Sequence, residues 1–179
     1  MNTQLCFLHG LDSSPQGTKG ALLREHYPDC WIPSLSSDVY QRLEFLEREM
    51  PTPMLVVGSS LGGLTAILFA LRHPEMVRGM VLLAPAVGAK DKDFFTAEQR
   101  RILESLYIPQ AIPTVVIAAL RDELIPITAI QRLIERSPDR GRIELLDVDD
   151  DHNLHESLGM MLEVIEQLKA RVERSGVKR

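Results

Sequence analysis

Cysteine is too scarce in this chain to carry the fold. There are two among 179 residues, Cys6 in an apolar run and Cys30 in a proline-flanked stretch. Neither stands in CxxC or Cys/His spacing, which excludes a disulfide scaffold and a cysteine-ligated metal; buried or half-buried thiols are expected instead. Basic charge is short as well: 20 Lys and Arg against 25 Asp and Glu give a net charge of -5. Nucleic acid is therefore an unpromising partner, because phosphate binding needs a basic face. The one local basic run, Lys169, Arg171, Arg174, Lys178 and Arg179, suits the solvated C-terminal end of a helix. No apolar run is long enough to span a bilayer. The chain opens without the basic start and long apolar stretch of a secretory leader, so a cytoplasmic location with no membrane partner is expected. The glycine fingerprints of a P-loop and of a dinucleotide site are both missing.

What is present is the composition of an ordinary globular domain, 45% apolar and 25% charged, in a length that suits one domain over residues 1–179. Short apolar runs at Leu5 to Leu8, Met54 to Val57 and Met80 to Leu83 read as buried strands, and Thr114 to Leu120 and Ile143 to Val148 as a fourth and a fifth strand. Trp31-Ile32 reads as a shorter one, stopped by Pro33. Helices are expected between them, at Thr18 to Tyr27, Val39 to Met50, Leu61 to Leu71 and Ile127 to Arg136. Another should run from a Thr96/Gln99 capping box to Tyr107. In the second helix Leu43 and Leu46 mark the buried face, and Gln41, Arg42, Glu44, Glu47 and Arg48 fall elsewhere. The last helix shows Leu154, Leu158, Met161, Leu162, Ile165 and Leu168 at spacings of three and four, with Asn153 and Glu156 in cap and third-residue positions. It is therefore expected to begin just after Asn153. Strands without polar alternation, separated by helices, call for an α/β fold: a mainly parallel sheet with helices on both faces.

The chemistry concentrates at Gly58-Ser59-Ser60-Leu61-Gly62. A G-x-S-x-G match in such a chain arises by chance on the order of 0.05 times. This one also follows a strand and opens a helix, the setting of a nucleophile elbow. There the middle serine is lifted clear of the sheet, and the helix N-terminus favours developing negative charge. Ser60 is centred in the motif and Ser59 is its rival. A serine hydroxyl needs a base, and the base needs an orienting acid. Asp122, just past Thr114 to Leu120, stands at the sheet edge where Ser60 emerges; Glu123 is the alternative. His152 precedes the last helix and is preferred to His155, which the expected helix start puts in the first turn. Asp149, Asp150 and Asp151 beside it have no second cluster to complete a metal site. No metal and no cofactor are expected.

Phe7-Leu8-His9-Gly10, Ser13-Ser14-Pro15 with Lys19, Gly58 to Gly63, Pro85-Ala86-Val87 and Asp122-Glu123 together resemble the YqiA/YcfP-type small bacterial esterases of the α/β-hydrolase superfamily. The likeness runs over nearly the whole chain. It implies a compact α/β-hydrolase fold with a minimal lid, acting on carboxylic esters or thioesters. By that likeness Ser60, Asp122 and His152 form the triad, and the backbone N–H groups of Leu11 and Leu61 form the oxyanion hole. The sequence departs from the family's glycines before the histidine, having Asp150-Asp151-His152-Asn153.

Only Ala84 to Pro113 separates the third and fourth long strands, too little for a separate lid domain. Its apolar residues Phe94, Phe95, Ile102, Leu103, Leu106 and Tyr107 are candidates to roof a modest pocket, with Phe95 and Leu106 nearest to substrate; His9 is a further pocket candidate, and it reads as a loop-shaping residue in preference to a second base. A small acyl ester or thioester is the expected partner. A thioesterase or acyltransferase with the same triad, or a non-catalytic binding protein on the same fold, are the competing readings.

Overall fold

The computed structural model describes residues 3–91 and 95–176. Five strands, β1 (Leu5–Leu8), β2 (Met54–Ser59), β3 (Val77–Leu83), β4 (Thr114–Ala119) and β5 (Ile143–Val148), form one sheet. Their order is β1-β2-β3-β4-β5 and every pairing is parallel. The helices are α1 (Thr18–His26), α2 (Val39–Glu49), α3 (Leu61–Arg72), α4 (Ala97–Ser105), α5 (Ile127–Arg136) and α6 (Leu158–Gly176). When neighbouring parallel strands follow one another in sequence, right-handed crossovers bring the connecting helices to one face. The core divides accordingly. Leu43, Leu46, Ile67, Leu103, Ile130 and Leu133 from α2 to α5 pack on one face with Cys6, Val56, Met80 and Val116. Leu23 of α1 and Met161, Ile165 and Leu168 of α6 cover the other with Phe7, Val57, Val81 and Ile117. Residues adjacent in a strand thus serve opposite cores, which is why β1 to β4 read as continuous apolar runs.

Three expectations need correction. Trp31 makes a single bridge to Cys6 and starts no strand; Pro33, two residues on, has no N–H with which to extend a ladder. β3 begins at Val77, three residues before the apolar run, because Val77 and Gly79 pair with Met54 and Leu55 of β2, and the exposed Arg78 between them bulges out of the register. The last helix begins at Leu158 and not after Asn153. Leu154 has a positive φ of 54°, which no helix accommodates. The Asp150 carboxylate accepts from the Ser157 hydroxyl at 2.8 Å and holds 151–157 as a loop. Lys178 and Arg179 lie outside the described residues. Among the described residues, no helix is long and apolar enough to cross a membrane.

Candidate active site

All five strands run the same way, so the loops that follow them converge on one edge. β2 delivers Ser60 there. Its φ of 52° and ψ of -115° lie in a region non-glycine residues avoid, at a cost of about 1–3 kcal/mol. The surrounding backbone offsets that strain. Ser60 N–H donates to Leu83 O at 2.9 Å, and Ser60 O accepts from the N–H groups of Gly63, Leu64 and Ala86 at 2.9, 3.2 and 3.0 Å. The motif glycines are needed for close approach. A Cβ on Gly62 would stand 1.9 Å from Leu8 O, and one on Gly58 2.6 Å from Gly62 O.

The loops after β4 and β5 supply the other two residues. Asp122 is buried, at 4% exposure. Its Oδ1 accepts from the N–H groups of Leu124 and Ile125 at 2.8 and 2.9 Å. Its Oδ2 accepts from His152 Nδ1–H at 2.7 Å. That proton placement leaves His152 Nε2 as an acceptor, and the Ser60 hydroxyl donates to it at 2.9 Å. Burial alone would push the Asp122 carboxyl up; the bonds from His152 and the two N–H groups outweigh it and hold the group below the usual carboxylate range.

The acidic run before His152 shapes its loop. Asp151 Oδ1 accepts from Asn153 N–H at 2.7 Å, Asp150 Oδ1 from Asp151 N–H at 2.7 Å, and Asp151 O from Leu154 N–H at 3.1 Å. Carboxylates therefore close the turn that glycines would form by backbone freedom. Arg121 ties this loop to that of Asp122, donating from Nε to Asp149 Oδ1 at 2.8 Å and from its N–H to Asp150 O at 3.0 Å. His155 lies exposed on the same loop and not in a helix. It is His152 whose ring meets Ser60. Expected outcome: His155→Ala keeps turnover within about threefold of wild type, because a residue that touches no reacting atom contributes little to kcat. Steady-state kinetics with a nitrophenyl ester checks it.

The loop after β1 is held by a residue that the sequence reading missed, Arg42 of α2. A Cβ on Gly10 would sit 3.4 Å from Ser60 Cβ, so the Gly10–Leu11 peptide borders the Ser60 side chain. His9 does not line the site. It is 3% exposed, and both its nitrogens hold backbone: Nε2 accepts from Leu35 N–H at 3.1 Å and Nδ1–H donates to Gly10 O at 2.8 Å. Burial pushes its pKa down, and the Arg42 cation adds to that against the Gly10 bond, so the ring is neutral at pH 7. Arg42, expected on the polar side of α2, is 1% exposed. It donates to Ser36 O, to His9 O at 2.7 Å and to Gly10 O at 3.3 Å. Burial lowers its pKa to about 10, which leaves it charged at neutral pH. A planar peptide points its C=O and N–H in opposite directions. Pinning Gly10 O between His9 and Arg42 therefore fixes the direction of the Leu11 N–H. Among the described residues, neither the Leu11 nor the Leu61 N–H has a backbone acceptor.

Lysine cannot reproduce a guanidinium fork over three carbonyls. Arg42→Lys is therefore expected to lower kcat by about tenfold to a hundredfold with little change in KM, somewhat less than outright loss of an oxyanion donor. It should also lower Tm, and ester kinetics run beside thermal unfolding would show both effects.

Two cavities open at Ser60. One, of about 380 Å³, includes Leu43, Leu64, Leu68, Phe95, Ile102 and Leu103 in its wall. The other, of about 780 Å³, includes Ser13, Thr18, Lys19, His152, Asn153 and His155. Phe95 lines the first cavity. Leu106 does not: it follows α4 at 3% exposure inside the core, while Ile102 and Leu103, one turn earlier, face the cavity. Tyr107 is exposed, and Phe94 lies outside the described residues.

The architecture has close counterparts. Alpha/beta hydrolase domain-containing protein 10 from mouse superposes with a TM-score of 0.79 at 16% identity, over 96% of this chain and 91% of that one. The fold is that of the α/β hydrolases. The monoacylglycerol lipase of Paleococcus ferrophilus shares this fold at a TM-score of 0.74 and 14% identity, over 93% of this chain and 94% of that one. Est1E from Butyrivibrio proteoclasticus matches at 0.70 and 13% identity, over 98% and 89%. A family model described as serine aminopeptidase, S33, matches residues 32–111, less than half of the chain but including the Ser60 elbow of the α/β-hydrolase fold. No curated protein matches the chain.

Proposed function

We propose that this chain is a serine hydrolase that cleaves carboxylic esters or thioesters by acyl transfer to water. The observation that carries the reading is the His152 ring, bonded at Nε2 to the Ser60 hydroxyl at 2.9 Å and at Nδ1 to Asp122 at 2.7 Å, with Ser60 at the junction of two cavities. In that arrangement His152 takes the Ser60 proton as Oγ attacks the carbonyl carbon. The N–H groups of Leu11 and Leu61 receive the developing oxyanion, with the α3 N-terminus behind them. His152 then gives its proton to the leaving oxygen or sulfur. Water, deprotonated by the same ring, releases the acid and regenerates Ser60. Asp122 keeps the imidazole in the working tautomer and stabilises its cation. The residues proposed to act are the chain's own, and each step is completed by them and water.

A neighbour of the same fold named as a monoacylglycerol lipase supports the choice of an ester over other acyl compounds. The match to a serine aminopeptidase family model favours an amide as the second reading. A panel of nitrophenyl esters, acyl thioesters and aminoacyl anilides tests the choice. Turnover of esters or thioesters is expected. Turnover confined to anilides would move the protein to the peptidase reading, and turnover of none would point to a binding protein.

A further inference from the structure

The two cavities at Ser60 differ in the balance of their linings: the first is mainly apolar, with Asp38 and Gln99 among its few polar residues, and the second is mixed, with Phe7, Leu11 and Leu124 beside its polar groups. In the first, Leu61, Leu64, Leu68 and Arg72 line one wall. Their spacing of three, four and four places them on a single stripe of α3, which starts beside the nucleophile. At a rise of ~1.5 Å per residue the apolar part, Leu61 to Leu68, covers roughly 10 Å. It ends at Arg72, whose guanidinium is paired with Glu47 at 3.0 Å. Leu43, Phe95, Ile102 and Leu103 enclose the stripe. The second cavity presents hydroxyls, an amide and an amine, from Ser13, Ser14, Thr18, Asn153 and Lys19, and Lys19 Nζ donates to Asn153 O.

Ser60 and Leu11 border both cavities, whereas His152 borders only the second. This asymmetry orients a substrate. The proton that His152 takes from Ser60 must go to the leaving atom, so the leaving group has to lie on the side where His152 stands. The acyl group is left with the apolar stripe. As Ser60 Oγ bonds to the carbonyl carbon, the bond from that carbon to the leaving oxygen or sulfur breaks, and the Ser60 proton ends on the departing atom. Water then adds to the acyl-enzyme; its hydroxyl goes to the acid and its proton returns through His152 to Ser60.

We propose that the substrate is a short-to-medium apolar acyl ester or thioester of a polar, hydrogen-bonding alcohol or thiol. The acyl chain lies along Leu61, Leu64 and Leu68, the leaving group lies in the Ser13–Lys19–Asn153 cavity, and Leu68 sets the preferred chain length. The inference rests on the acyl-transfer reading above and adds to it the direction of binding.

An isomeric pair of esters tests the direction, because total hydrophobicity cancels. Ethyl octanoate is expected to exceed octyl acetate in kcat/KM by about tenfold or more, a buried methylene being worth up to about fourfold. 2,3-Dihydroxypropyl octanoate should exceed propyl octanoate by about tenfold, the difference being two hydroxyls with partners in the polar cavity. Leu68→Trp, at a half-buried position, should lower the ratio of octanoyl to acetyl ester kcat/KM by about tenfold. Leu68→Phe, a smaller change, should shift that ratio in the same direction if the tryptophan variant does not fold. Octyl acetate equal to or better than its isomer, or a chain-length profile untouched by both Leu68 variants, would overturn the proposal while leaving Ser60-dependent hydrolysis standing. No hydrolysis of any ester or thioester would remove the reading beneath it.

Discussion

Replacing Ser60 by alanine is expected to lower kcat for ester hydrolysis by about four to six orders of magnitude, the loss typical of a triad member. The fold should survive. Alanine keeps the Cβ, so the substitution adds no atom to the tight turn beside Gly10, and the side-chain bond that disappears is the one to His152. The main-chain bonds that hold the elbow to Leu83 and Ala86 are untouched. Tm should therefore change by no more than about 2 °C, as for substitutions outside the core. Loss of turnover with an unchanged unfolding curve separates chemistry from stability. If Ser60→Ala keeps turnover and Ser59→Ala loses it, the nucleophile is misassigned.

The second large effect is expected at Asp122→Asn: a fall in kcat of about three to four orders of magnitude. The reason is a forced tautomer. Oδ1 is fixed as an acceptor by the Leu124 and Ile125 N–H groups at 2.8 and 2.9 Å. An asparagine must keep its oxygen there, which turns its NH₂ toward His152 Nδ1. That nitrogen then has to accept, the ring proton moves to Nε2, and the ring can no longer take the Ser60 proton. Shape and volume barely change, so KM should move little. The pH dependence of stability follows from the same bonds. The carboxyl is held below its ordinary value, so its contribution is present above the unfolded value of about 3.9 and is lost as pH falls through the lower folded value. The Tm difference between wild type and Asp122→Asn should accordingly shrink as pH drops through that window, which thermal unfolding across acid buffers measures.

The sheet was legible because β1 to β4 are buried on both faces, and uninterrupted runs such as Leu5–Leu8 and Thr114–Ala119 have few other uses. The elbow was legible because Gly58 and Gly62 stand where any side chain would collide with backbone. Arg42 was not legible, since periodicity sorts by polarity and a guanidinium bound only to carbonyls looks like a solvated one. The available signal was its place four residues before Leu46, on the buried side of the helix. The start of α6 was misread for a related reason. Asn153 and Glu156 have the chemistry of a cap, but the loop is set by the left-handed Leu154 and the carboxylates of Asp150 and Asp151, whose partners lie within the same few residues. One ground for preferring His152, a helix at His155, does not hold; the other, its place between the last strand and the last helix, does, and the hydrogen bond to Ser60 supports the choice. Leu106 and Ile102 differ by one turn on the same apolar face, and only the tertiary packing that buries Leu106 in the core decides which of them reaches the cavity.

The central claim is that Ser60, and no other hydroxyl, is activated by His152. A fluorophosphonate reports this directly, because it phosphonylates an activated serine and leaves ordinary ones alone. Folded protein treated at neutral pH, digested and mapped by mass spectrometry should carry one adduct per chain, on Ser60, and His152→Ala should carry little or none. An adduct on Ser59 or elsewhere, or wild-type protein left unlabelled, would contradict the account.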